Sequence, residues 1–263
     1  MKWSRFYLVT LYLALVGTLL GNSSLVHSRE DAWQFRAGLA PLSASLPWKG
    51  MADQRVLAPY FKASMGQWSF GVENIVGYQY SLGENIQVTT GINFRDQGYK
   101  NQASVFTKSS NDPVFVNYSR PNQELAASVN IRWHLLSIEV NQDISNHSQS
   151  SSIKSSIDIP LYRHKNGMQF KGTASALWYS AAYVDYYFGI SAQQEDLALG
   201  RTQYIGHDSV NQQFTLNAMI PINAQWQLIS IISRTELGEE VYESPLIDTR
   251  YEDRVSIALS YLF

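Results

Sequence analysis

An all-β, transmembrane antiparallel up-and-down β-barrel is the fold class this sequence predicts, on three observations. First, apolar and polar residues alternate with period two in runs of about 10 residues along most of the chain, as strands do when lipid lies on one side. Second, Val255, Ile257, Leu259, Tyr261 and Phe263 share one parity while Arg254, Ser256, Ala258 and Ser260 share the other. Alternate side chains of a strand point to opposite faces, so this segment has one apolar face that finishes in two aromatics. Third, beyond an N-terminal leader no apolar run approaches the roughly 20 residues a spanning helix needs. A closed barrel is then the structure that crosses a bilayer with its backbone polar groups paired.

Taken in order, Lys2 and Arg5 precede an apolar run over residues 6–20, followed by Gly21, Asn22, Ser23 and Ser24. This reads as a secretory signal peptide over residues 1–28, removed after Ser28, with the barrel formed by residues 29–263. Trp33, Phe35, Ala37 and Leu39 alternate with Gln34, Arg36, Gly38 and Ala40 in the first strand. Residues 55–65 and 68–82 are extended but mixed. Residues 86–95 alternate cleanly, with Ile86, Val88, Thr90, Ile92 and Phe94 on one parity. Leu125 to Trp133 and Leu136 to Val140 read as a hairpin around His134. Ile153, Ile157 and Ile159, then Met168 to Trp178, then Phe214 to Ile220, residues 226–234 and the segment at Phe263 complete the set. Long connections (96–123, 179–212, 235–253) alternate with short ones (83–84, 134, 162–167, 222–224), and no sustained helical period is evident. Long loops are extracellular and short turns periplasmic in such barrels, which places both termini in the periplasm. An even strand number follows if residues 68–82 form two short strands and residues 42–54 an external loop, giving twelve strands; ten is the alternative. Tyr261 and Phe263 resemble the terminal signal read by the outer-membrane assembly machinery.

Composition supports this reading. Hydrophobic residues make up 45% of the chain, aromatics 13% and charged residues only 16%, against about 25% charged in soluble domains. The net charge of -2 lacks the basic face that nucleic acid requires. With no cysteine there is no lipid-anchored thiol, disulfide or thiolate metal site.

Residues with catalytic potential cluster twice, at Asp143, Asn146, His147, Ser148 and Ser150 and at His207, Asp208 and Ser209. A His can serve as base for a Ser nucleophile in outer-membrane lipid hydrolases, but neither cluster carries a recognisable motif. Both read as polar loop composition, and no catalytic, cofactor or metal residues are assigned. The acidic stretch of Glu236, Glu239, Glu240, Glu243, Asp248, Glu252 and Asp253 matches no defined calcium loop and reads as a solvated loop. Lumen-facing positions carry Arg36, Arg95, Arg132 and Lys171 beside Glu124, Glu139, Asp143 and Asp158, which suggests internal pairing in a barrel narrower than a general porin.

Several segments occur together in an informative order. Tyr187, Phe188, Gly189 and Ser191, then Leu237 and Gly238 followed by Ser244 and Pro245, then Tyr261-Leu262-Phe263 resemble the MipA/OmpV family of outer-membrane proteins. Arg55-Val56-Leu57-Ala58-Pro59 is similar to a further stretch of that family. Departures fall at residues 46–53, where the family has a Gly-rich segment, and at residues 199–204, so the chain resembles a divergent member. The resemblance implies a non-enzymatic barrel. One member is a scaffold between a lytic transglycosylase and a murein-polymerising penicillin-binding protein, and others are tied to osmotic response and adhesion. A small-solute channel or surface adhesin is the alternative function. Outer-membrane lipid and lipopolysaccharide are the expected surroundings, no cofactor is implied, and the periplasmic turn bearing Arg163, His164 and Lys165 is the candidate docking patch.

Overall fold

Alternation along the sequence becomes twelve antiparallel strands that close into one barrel. The structure, a computed structural model, describes residues 32–51, 53–72, 74–99, 110–119 and 121–263. The expected cleavage site therefore lies outside the described residues. The strands are β1 (Gln34–Ser45), β2 (Gln54–Met65), β3 (Trp68–Gly71), β4 (Val76–Leu82), β5 (Ile86–Arg95) and β6 (Glu124–Trp133). They continue with β7 (Leu136–Asp143), β8 (Ser151–Arg163), β9 (Gln169–Tyr179), β10 (Ser209–Pro221), β11 (Trp226–Glu236) and β12 (Tyr251–Leu262). Each pairs with its neighbours in sequence, and β12 pairs back onto β1 from Arg36↔Leu262 to Ser45↔Asp253, so the sheet has no edge along this seam.

Residues 68–82 do split, into β3 and β4, and this split produces the even count. Gly71 bends back toward Asn74, with its N–H donating to the Asn74 carbonyl at 2.9 Å, so β3 ends after four residues. Two expectations are corrected. The external connection after β1 covers residues 46–53 rather than 42–54, because Leu42, Ser43, Ala44 and Ser45 stay in register with β12. The long connections also contain helix: α1 (Ala181–Phe188) and α2 (Glu239–Tyr242). The Ser180 hydroxyl accepts from the Tyr183 N–H and starts α1, as a Ser at the N-cap does.

Outward positions such as Leu39, Leu57, Ile131, Ile138, Ile159, Leu216, Ile232, Ile257 and Leu259 are exposed and apolar, forming the band that lipid covers. The partner parity of β12, Ser256, Ala258 and Ser260, is buried inside. At the short-turn end Trp226 meets Tyr261 at 4.9 Å and Tyr261 meets Phe263 at 4.7 Å, while the Phe263 N–H donates to the Phe35 carbonyl at 2.9 Å. With Trp133, Tyr162 and Phe170 these rings make an interfacial aromatic girdle. The long connections gather at the opposite, extracellular end.

Candidate functional site

Among the described residues, four external connections pack on one another as a lid over the extracellular mouth. Its buried rings and aliphatics come from four separate connections: Trp48; Tyr99, Val114, Phe115 and Tyr118; Tyr183, Val184, Tyr187, Phe188 and Ile190; Leu237, Val241, Leu246 and Ile247. Trp48 stacks on Phe188 at 5.3 Å, and Tyr99 on Phe115 at 3.6 Å. Backbone bonds stitch the first and last of these loops, from the Lys49 N–H to the Leu246 carbonyl at 3.0 Å and from the Asp248 N–H to the Pro47 carbonyl at 2.8 Å. Arg201, only 5% exposed, donates through Nη1 to the carbonyls of Val114 at 2.7 Å and Val116 at 2.9 Å, fastening the β9–β10 connection to the β5–β6 connection.

Most residues of the two loop motifs lie in this lid and touch one another. The Ser244 hydroxyl donates to the Phe188 carbonyl at 2.7 Å, which joins the segment around Gly189 to the segment around Pro245. A side chain at Gly189 would overlap the Asp185 carbonyl, so this close approach of backbone to backbone admits only glycine. The Tyr187 hydroxyl donates to Glu124 Oε2 at 2.7 Å and also reaches the Arg95 carbonyl at 3.3 Å. Ser191 stands apart, exposed and bonded to Gln194. Burial pushes the Tyr187 hydroxyl far up from its ordinary range, with nearby Tyr183 and Glu124 adding to it, so it stays a donor.

Beneath the lid a buried ion pair forms its floor. Arg95 Nη2 lies 3.1 Å from Glu124 Oε2, with Glu124 fully buried, and also donates to Ser150 Oγ at 2.8 Å. Its guanidinium sits 5.2 Å from the centre of the Tyr183 ring. A buried pair of this kind needs its remaining hydrogen bonds satisfied, and Tyr187 supplies one of them.

In the clusters weighed as hydrolase sites, Asp143 and Asp208 hold the backbone of their own connections. Asp143 closes the β7–β8 connection by accepting from the N–H groups of Ser145, His147, Ser148 and Gln149. The Ser145 hydroxyl donates to Asp143 at 2.6 Å, and His147 Nδ1 faces the Gln123 carbonyl at 3.0 Å and lies 3.3 Å from the Ser145 hydroxyl. Asp208 accepts from the Ala181 N–H at 2.6 Å at the start of α1. The acidic stretch is also not one solvated loop: Glu236 pairs with Arg250, Asp253 with Arg234 and Glu252 with Arg254, and Glu236, Glu252 and Asp253 belong to strands. Among the described residues no group of three or more His, Cys, Asp or Glu is placed to hold a metal ion.

At the periplasmic end, Arg163, His164 and Lys165 are exposed on the β8–β9 turn. The turn is held by His164 N–H to Met168 carbonyl at 2.8 Å and by His164 Nδ1 against Asn166 Oδ1 at 2.8 Å. Residues missed from sequence are Trp48 and Arg201; an aromatic beside Pro47 in a polar connection was the available signal for the first, and the second had none.

An apolar outer band, aromatic girdle, short turns on one side and packed long loops on the other define an outer-membrane β-barrel. The chain belongs to the family described as MltA-interacting protein MipA, whose family model matches residues 37–263. It is 28% identical over 104 residues to the MltA-interacting protein of Escherichia coli (strain K12), a stretch covering 39% of this chain and 42% of that protein. It is 30% identical over 91 residues to outer membrane protein OmpV of Vibrio cholerae, 34% of each chain. The matched stretches thus span less than half the length of these relatives. Among solved structures the NanC porin shares 10% identity, covers 88% of this chain and 99% of its own, with a TM-score of 0.37.

Proposed function

We propose that this chain is a non-enzymatic outer-membrane barrel that anchors murein-processing enzymes, a lytic transglycosylase and a murein-polymerising penicillin-binding protein, at its periplasmic face. The observation that carries the reading is the lid. The loops that hold the shared motifs are packed across the extracellular mouth, which favours a role on the periplasmic side over passage of solutes. The name of the Escherichia coli relative, an interacting protein for MltA, agrees with this. The exposed basic turn of Arg163, His164 and Lys165 is the contact surface of the proposal, since short turns and the girdle are what the barrel offers there. Detergent-solubilised barrel used as bait should retain one or both enzymes, and a double Arg163→Glu, Lys165→Glu variant that still shows heat-modifiable migration should lose them. Retention of neither enzyme by correctly inserted barrel contradicts the proposal.

A further inference from the structure

Strand β3 ends after four residues, and the connection that follows it folds into the lumen. Both of its ends are fixed, by the Gly71 N–H donating to the Asn74 carbonyl at 2.9 Å and the Ile75 N–H to the Ile92 carbonyl at 2.7 Å. Val72 packs on an apolar cluster made by Ala40, Tyr60, Ile229, Ile231 and Ala258, with Met219 beside it. These residues face inward: Tyr60 pairs with Gly38, Met219 with Ile229 and Ile229 with Ala258, which lies on the buried parity of β12. None of the five is more than 2% exposed, whereas Arg132 and Lys171, close to the periplasmic ends of β6 and β9, are 30% and 23% exposed. On the other side Asn74 reaches past β4 and β5, and its Oδ1 accepts from the Ser128 hydroxyl on β6 at 3.3 Å. Gly77 and Gly91 face one another in register beneath it. A Cβ at Gly91 would lie 2.6 Å from Asn74 Oδ1, so the wall is cut back to glycine where this side chain rests.

We infer that the β3–β4 connection is an internal strap, a second constriction that limits passage through the lumen independently of the external lid. A barrel of twelve strands is wider than the eight-stranded kind that wall side chains alone can fill. The strap supplies filling from both of its sides. Val72 joins the apolar cluster on the wall of β10, β11, β12, β1 and β2, and Asn74 covers the wall of β4 to β6. Apolar constrictions hold back water and ions, and pore width and lining govern what passes beside them. The barrel therefore stays narrow inside when its external loops move. The inference concerns the lumen alone and does not rest on the murein-enzyme reading.

The test is single-channel recording in a planar bilayer of four full chains, each checked for insertion by heat-modifiable migration. They are the wild type, a lid variant Trp48→Ala, Phe188→Ala, a strap variant Val72→Gly, Asn74→Gly, and the combination. With the lid intact, wild type and strap variant should carry no steady current. The lid variant should show openings, and the combination should raise their current by about twofold or more, because pore diameter governs passage. Current from the strap variant alone would support the strap and count against the lid. A second measurement needs no open lid: Gly91→Ala sets a methyl group against the Asn74 amide and should lower the temperature at which heat-modifiable migration changes, and Asn74→Gly in the same chain should restore it. Equal currents from the lid variant and the combination overturn the inference, as does an inserted combination that carries none. So does a Gly91→Ala defect that Asn74→Gly leaves in place.

Discussion

Tyr187 joins the apolar packing of the lid to the ion pair beneath it, because its ring lies among Tyr183 and Tyr186 while its hydroxyl reaches Glu124. Glu124 Oε1 already lacks a hydrogen-bond partner, so removing the bond to Oε2 leaves the carboxylate with Arg95 alone. Leaving a buried charged acceptor short of a partner costs about 1–3 kcal/mol. Tyr187→Phe should therefore raise the open population of the lid by roughly tenfold, given about 1.4 kcal/mol per factor of ten. Trypsin cleavage after Arg201, which is buried in the closed lid, reports that population by fragment mass. Unchanged cleavage at Arg201 in the variant would remove Tyr187 from its assigned role. Tyr187, Phe188, Gly189, Ser244 and Pro245 were legible through resemblance to a family. Trp48 and Arg201 were not, because their partners Phe188, Val114 and Val116 lie far away in sequence and no periodicity links them.

Most strands were legible because a bilayer enforces period two on them, and the short β3 and β4 followed from the requirement for an even count. Helix α1 was hidden for a physical reason. It has only eight residues, Tyr183, Val184, Tyr187 and Phe188 are buried, and Tyr186 bonds Asn122, so contacts on more than one side leave no clear polar stripe. The lid connections share one titration property. Burial lifts the hydroxyls of Tyr118 and Tyr204 from the ordinary 10.0 up to about 12, aided at Tyr204 by Glu240 and opposed at Tyr118 by Arg201. A group whose pKa is raised on folding binds its proton more tightly in the folded state. Its contribution is complete below pH 10 and is lost as pH rises through about 12. Tyrosinate absorbance should show these side chains titrating late, followed by loosening of the lid. A single wave with every tyrosine titrating near 10 would contradict the packed arrangement.

At the scale of the whole molecule the barrel is asymmetric along its axis. Its outer face carries an apolar band, its extracellular end is packed by aromatic side chains from three connections and aliphatic ones from a fourth, and its periplasmic end keeps part-exposed charges and short turns. The buried side chains of four connections make one cluster around Trp48, Tyr187 and Phe188. The overall barrel was readable from alternation, whereas the lid required the three-dimensional meeting of loops. Conductance across a planar bilayer tests the sealed mouth most directly. Inserted wild-type barrel should show no steady current, and a Trp48→Ala, Phe188→Ala variant, which removes the stacked pair at the centre of the lid, should show openings. Steady conductance from the wild-type barrel with its lid intact would contradict the account.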